Sequence, residues 1–276
     1  MKLLIADSGA TKTDWAYLEN GKPIFFKGDG LHPAYFSDAD IKNSIYRTVG
    51  KLQPNHIYFF GAGCHSDEVN NRLANIFKNQ FGKVTVSVED DLTGTAKAHL
   101  GKENGIIAAL GTGSICGRYQ AGKIKEKSSS LGFAIGDEGS AADIGKRILK
   151  QFFRNRFDEA THQTVAAALD ETSYSVWMQK IYQHKTPSRE LASVAGLVLN
   201  REITPKLEKI VQDSIISFVD EQLSQLQPLN EERIVFTGKV AVSNKGILLD
   251  LLTQKGFKNV EVKGSVIEGL ARFYSR

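Results

Sequence analysis

Leu3-Leu4-Ile5-Ala6-Asp7-Ser8-Gly9-Ala10-Thr11-Lys12-Thr13 decides the fold, because its grammar returns later in the chain. Leu3 to Ala6 reads as a short buried strand that ends in an acid and a run of small residues. A second strand follows around Trp15 to Leu18, then Asn20-Gly21, then a third from Ile24 to Phe26. Asn-Gly between apolar runs predicts a hairpin, since both central residues of such a turn must tolerate positive φ. About a hundred residues on, Gly105 to Leu110 is again a strand and Gly111-Thr112-Gly113-Ser114 the turn. Ile115 to Tyr119, Ala121-Gly122 and Lys123 to Lys127 then repeat strand, turn and strand.

A second pair of segments matches in the same order. His56 to Gly63 resembles Arg233 to Val240, each a buried strand stopping at glycine, Gly61 or Gly238. Each leads into an amphipathic helix, with Val69, Leu73, Ile76 and Phe77 in one copy and Ile247, Leu248, Leu251 and Leu252 in the other. Val84 to Val88 and Val260 to Val262 are the next strands, and small-residue helices around Gly94 and Gly269 close each series. Four matches in one order point to a duplication. The chain therefore predicts two α/β halves, residues 1–104 and 105–264, which touch along a cleft. A helix from about 265 to 276 completes the first half. The second half carries an extra segment, about 131–230, that reads as mostly helical. Its best helix starts at Thr204-Pro205, a cap with proline in the first turn, and runs an apolar stripe from Leu207 to Leu226.

Composition narrows the function. The 276 residues are 41% hydrophobic and 24% charged, the balance of a globular chain. Lys and Arg exceed Asp and Glu by 35 to 31, too small and too spread an excess for a nucleic-acid surface. Two cysteines, Cys64 and Cys116, form no disulfide framework, and six histidines show no metal spacing. With no membrane-length apolar run and a start that meets a charge at Asp7, a cytoplasmic protein is expected.

The chemistry gathers at strand ends. Asp7 to Thr11 and Gly111 to Ser114 let backbone N–H groups approach a phosphate, and their hydroxyls add donors; both also suit plain hairpin turns. Asp7 is a hard oxygen ligand suited to Mg²⁺ through water. Glu89-Asp90-Asp91-Leu92-Thr93-Gly94 joins a strand to a helix, where a carboxylate either takes a proton or caps the helix. Period-two alternation would turn Asp90 and Asp91 to opposite faces. Gly132 to Ser140 has no helix or strand period; it is either a specified backbone or a solvated turn.

Asp-x-Gly-x-Thr-Lys-Thr, Gly-Thr-Gly-Ser and Gly-Asp-Glu-Gly-Ser together resemble the N-acetylglucosamine kinase and BadF/BadG-type ATPase family, in the actin-like, hexokinase-like ATPase superfamily. The likeness covers nearly the whole chain. It implies duplicated ribonuclease H-like domains with mixed five-stranded sheets around a central cleft. It implies ATP and Mg²⁺ as cofactors and an amino sugar, most often N-acetylglucosamine, phosphorylated on its 6-hydroxyl. Gly9, Thr11, Lys12, Gly111, Gly113, Ser114 and Gly238 fall on ATP and phosphate motifs, and Asp7 near Mg²⁺. Thr112 and Asp137 fall on sugar positions, and Asp91 on the base. Departures lie at the sugar: Leu131-Gly132-Phe133 replaces a Trp-Gly pair, and Gly30-Leu31-His32-Pro33 stands where animal sugar kinases have Thr-Asn-His. Lys239 replaces a second glycine after Gly238. The resemblance leaves open the acceptor sugar, a homodimer, an ATP-binding regulator without turnover, and an ATPase activator of a radical dehydratase or reductase. That activator needs a shared iron–sulfur cluster, for which Cys64 and Cys116 look poorly placed.

Overall fold

The computed structural model describes residues 2–9, 11–169, 172–184, 186–201 and 203–275. Ala10, counted above in the first loop, and Met1 and Arg276, at the outer bounds of the first half, lie outside them. The order is β1 (Lys2–Ser8), β2 (Lys12–Glu19), β3 (Lys22–Asp29), α1 (Asp38–Val49), β4 (His56–Gly61), α2 (Asp67–Phe81), β5 (Thr85–Asp90) and α3 (Asp91–His99). It begins again with β6 (Gly105–Leu110), β7 (Ser114–Gln120) and β8 (Lys123–Lys127). The added segment holds α4 (Gly132–Ile135), α5 (Ala141–Phe152), α6 (Glu159–Ala168), α7 (Tyr174–Gln183), α8 (Pro187–Leu199) and α9 (Pro205–Glu221). Then come β9 (Ile234–Thr237), α10 (Lys239–Ser243), α11 (Lys245–Gln254), β10 (Val260–Val262) and α12 (Val266–Tyr274).

Two sheets of five strands result, ordered β3-β2-β1-β4-β5 and β8-β7-β6-β9-β10. The two orders are the same, element for element. In the first sheet β2 runs antiparallel to β1 and β3, while β4 runs parallel to β1 and β5. In the second, β9 runs parallel to both β6 and β10. Both hairpin turns use positive φ at both central residues, 53° and 77° at Asn20-Gly21 and 49° and 80° at Ala121-Gly122. That geometry matches the twist of the flanking strands.

The contacts divide the chain into two compact units. The first runs to Asn104, takes in Tyr119–Lys125, and ends with the segment from Ser265 on; the second holds Gly105–Arg118 and Glu126–Gly264. In the first unit β1 is buried on both faces, so alternate residues serve two cores. Leu4 and Ala6 join Trp15, Ile41, Ile45, Phe59 and Phe77 under α1 and α2. Leu3 and Ile5 join Leu18, Phe60, Ile267 and Leu270 under α12. The second unit buries Ile106, Ala108 and Leu110 of β6 beneath α5, α8, α9 and α11.

Two expectations change in detail. The stripe from Leu207 to Leu226 is not one helix: α9 ends at Glu221 and Leu223–Leu226 tightens into a 3₁₀ turn. The helix equivalent to α2 is split into α10 and α11 at Asn244, which leaves helical geometry (φ −116°, ψ 31°) and donates its side-chain amide to Val240 O.

Candidate active site

The first loop is built by hydroxyls turned inward. Thr13 donates to Asp29 O at 2.8 Å, and Ser8 Oγ lies 2.8 Å from Thr13 Oγ1 while accepting Leu31 N–H at 3.2 Å. Because the Thr13 proton is spent on the carbonyl, Ser8 donates to Thr13 and the chain of bonds closes. The Ser8 hydroxyl thus fixes the loop instead of adding the outward donor that its sequence suggests. Gly9 N–H bonds Lys12 O at 2.9 Å, making the turn tight. A Cβ on Gly9 would meet nothing nearer than 3.8 Å, and one on Gly111 nothing nearer than 3.9 Å. Neither glycine answers a demand of the protein's own packing; both leave room beside the strand end. Thr11 and Lys12 are exposed, and the Lys12 ammonium pairs with Asp14.

Asp7 is the electrostatic focus of this unit. Its carboxyl is pushed up to about 7, first by burial, then by the charges of Asp91 and Asp14, with Lys12 opposing. Asp91 comes close enough to act on it because β1 and β5 flank β4 in parallel and end together. The alternation argument for Asp90 and Asp91 does not apply, since the strand stops at Asp90. Asp90 is the N-cap of α3, accepting Thr93 N–H at 3.0 Å and the Thr93 hydroxyl at 2.8 Å. Asp91 is the first helical residue, and its Oδ1 accepts Leu92 N–H at 2.9 Å. Asp90 thus spends its carboxylate on the cap, while Asp91 meets only the N–H of the next residue among these bonds. Gly94 lets α3 approach the sheet, for a Cβ there would stand 2.5 Å from Phe60. His32 stacks on Tyr35 at 4.3 Å, and burial with nearby His65 holds its imidazole below the ordinary range.

The second unit presents the other motif residues. Gly111 N–H bonds Gly113 O at 2.9 Å, and the carbonyls of Gly111 and Thr112 accept the Ala141 and Ala142 N–H groups that open α5. Asp137, at φ 56°, turns its carboxylate onto this loop and accepts Ser114 N–H at 3.2 Å. A Cβ at Gly113 would stand 3.0 Å from that carboxylate, so a side chain there would make Asp137 give by a few tenths of an ångström. Burial raises the Asp137 carboxyl above its usual value, opposed by the Ser114 N–H bond. Ser114 is buried, with its hydroxyl donated to Glu138 O at 2.7 Å, so its polar groups shape the loop. Gly238 (φ 95°) is brought beside the same turn: a Cβ there would lie 2.3 Å from Leu110 O. That contact alone accounts for its being glycine.

Sequence reasoning missed the supports behind these loops. Buried Asp143 accepts the Ser214 hydroxyl at 2.7 Å and Arg147 Nε at 2.8 Å, and Ser214 Oγ accepts Gly139 N–H at 3.1 Å. An acid inside an apolar helix stripe with arginine four residues on was the available signal. Both cysteines are buried, with thiols pushed up to about 12 at Cys64 and about 11 at Cys116, chiefly by desolvation. Among the described residues no group of three or more His, Cys, Asp or Glu is arranged to hold a metal, and no helix is long and apolar enough to cross a membrane.

Two mixed five-stranded sheets of one order, each with a tight loop after its first strand, define the class: this is the fold of the hexokinase-type, actin-like ATPases. A ROK-family glucokinase from Streptomyces griseus, solved with glucose and AMPPNP, matches with a TM-score of 0.62 at 13% identity, covering 100% of this chain and 97% of its own. A protein from Porphyromonas gingivalis, provisionally described as an N-acetylglucosamine kinase, matches with a TM-score of 0.92 at 26% identity, covering 99% and 98%. An N-acetylmuramic acid/N-acetylglucosamine kinase from Clostridium acetobutylicum is 29% identical over 160 residues, 54% of this chain. The chain spans about half (52%) of that curated relative's length. No family model matches the chain.

Proposed function

We propose that this protein is an ATP-dependent sugar kinase that phosphorylates the 6-hydroxyl of an amino sugar, N-acetylglucosamine first among candidates. The observation that carries the reading is the division of labour at the β5–α3 junction. Asp90 caps the helix, and Asp91 is held where its charge raises Asp7. In this reading Asp91 accepts the hydroxyl proton as the sugar oxygen attacks the γ-phosphorus, whose bond to the β,γ-bridging oxygen breaks and releases ADP. The N–H groups of Thr112 and Gly113, which bond no protein acceptor among the described residues, meet phosphate oxygens, with Thr11 and Lys12 at the equivalent loop. Asp137 accepts sugar hydroxyls, Thr112 adds a side-chain hydroxyl, and the backbone at Gly238 lies against the nucleotide. Asp7 suits Mg²⁺ through water, because a carboxyl raised by burial and by the neighbouring Asp91 and Asp14 charges is relieved by a divalent cation. When bound, that ion neutralises phosphate charge.

The names of the Clostridium and Porphyromonas relatives support an amino-sugar acceptor. The test is ADP release from ATP with N-acetylglucosamine, N-acetylmuramic acid, glucosamine and glucose, with the phosphorylated carbon located by ³¹P–¹H NMR. Turnover with the N-acetylated sugars and phosphate on C6 is expected. No turnover with any of the four, or phosphate elsewhere, overturns the assignment.

A further inference from the structure

Gln222, just past the end of α9, is 1% exposed and all of its amide hydrogen-bonding groups are in use. Its Nε2 donates to Ser114 Oγ at 2.8 Å and to Glu138 Oε2 at 2.9 Å. Its Oε1 accepts the Ser128 hydroxyl at 3.2 Å, and that oxygen accepts Cys116 N–H at 3.0 Å. Ser114 in turn donates its hydroxyl to Glu138 O and its N–H to Asp137. One carboxamide from a distant helix therefore closes a ring between the Gly111–Ser114 turn and the Asp137–Glu138 segment. The helix needs only the Gln222 main chain, whose N–H bonds Phe218 O at 2.9 Å.

We infer that Gln222 is a positioning residue that locks the Gly111–Ser114 turn to the Asp137–Glu138 segment, presenting the phosphate and sugar groups as one rigid set. Its catalytic consequence rests on the kinase reading above. The amide is the chemistry the place requires. A carboxylate would face the Glu138 carboxylate and lose both donors, and an apolar side chain would leave Glu138 and Ser128 without their partner.

Gln222→Glu and Gln222→Met are compared with the double variant Gln222→Glu/Glu138→Gln and with Val211→Ala, a buried core control in the same unit. Thermal midpoints, sugar KM, kcat, and hydrogen exchange over residues 111–117 and 132–140 are read for each. Gln222→Glu is expected to lower kcat/KM roughly 10- to 100-fold, mainly through KM, with exchange rising in both segments together. The double variant should recover about tenfold, since a donor again stands between the two oxygens. Val211→Ala should lower the midpoint without moving KM. Unchanged KM in both single variants, loosening of one segment only, or a double variant no better than Gln222→Glu overturns the proposal. If Gln222→Glu does not fold, Gln222→Met carries the same comparison. If the unsubstituted protein phosphorylates no sugar, the kinase reading falls, and the exchange arm still decides whether Gln222 couples the two segments.

Discussion

Asp7 shows how a fold changes a residue. An aspartate whose carboxyl is raised to about 7 keeps, in the folded state, a proton that the unfolded chain gives up near pH 4. Folding stability therefore falls as pH rises from about 4 to about 7 and levels off above, the reverse of a salt-bridged aspartate. Asp7→Asn is expected to melt higher than the natural protein at pH 8, with the gap closing toward pH 4. Mg²⁺ should raise the midpoint of the natural protein at pH 8 and leave the variant unmoved. Differential scanning calorimetry across that range checks both, and equal midpoints at pH 8 would refute the burial argument. At the neighbouring junction, Asp91→Asn should cut kcat by about 10² to 10⁴ with little change in sugar binding. Asp90→Ala should instead cost about 1 kcal/mol of stability, the loss of an N-cap, and spare most turnover. Steady-state kinetics paired with urea unfolding separates the two acids, and a dead Asp90→Ala enzyme with an active Asp91→Asn one would reverse their roles.

Among the elements, the helical insertion depends on one close crossing. A Cβ on Gly145 of α5 would stand 1.9 Å from the carbonyl oxygen of Leu191 in α8, with Val194 at 3.3 Å. Backbone cannot yield as a side-chain tip can, so Gly145→Ala should force the helices apart and cost about 1–3 kcal/mol. Gly196, inside α8, has nothing within 4 Å of its Cβ position. Gly196→Ala should add up to about 1 kcal/mol, by helix propensity alone. Equilibrium urea unfolding of the two variants checks the contrast, and equal effects would mean that the α5–α8 contact is looser than described. These glycines look alike in sequence. What separates them is a neighbour more than forty residues away.

For the whole molecule, the return of the C-terminal segment to the first unit is the feature with the clearest consequence. Ile267, Leu270 and Ala271 cover Leu3, Ile5, Leu18 and Phe60, and Gly269 sits so close to α3 that a Cβ would stand 2.6 Å from Ala98 O. Ending the chain at Gly264 uncovers that face of β1 and β2. Burial of each large apolar side chain contributes about 1.5–3 kcal/mol, so the loss rivals the stability of a domain. The truncated chain should bind a hydrophobic dye and show rapid amide exchange in β1 and β2, with β6 and β9 protected. Full protection of β1 and β2 after truncation would refute the packing argument.

The duplication, the succession of strands and helices along each half, the hairpin turns and the strand-end position of Asp7, Asp91 and the Gly111–Ser114 turn were legible in the sequence. Each is written locally, in apolar periodicity and in the backbone demands of Asn-Gly and Ala-Gly turns. Tertiary structure alone decided three things. It turned the Ser8 and Ser114 hydroxyls inward, because their acceptors, Thr13 and Glu138 O, come within reach only once the loops have closed. It made Asp90 the cap and left Asp91 beside Asp7, because the place where β5 ends is set by its parallel pairing with β4. It tied the loops of the second unit through Gln222, Ser214 and Asp143, whose partners lie from about seventy to over a hundred residues away. Hydrogen-bond partners at such separations carry no periodic trace in the chain, since they depend on where folded elements end in space.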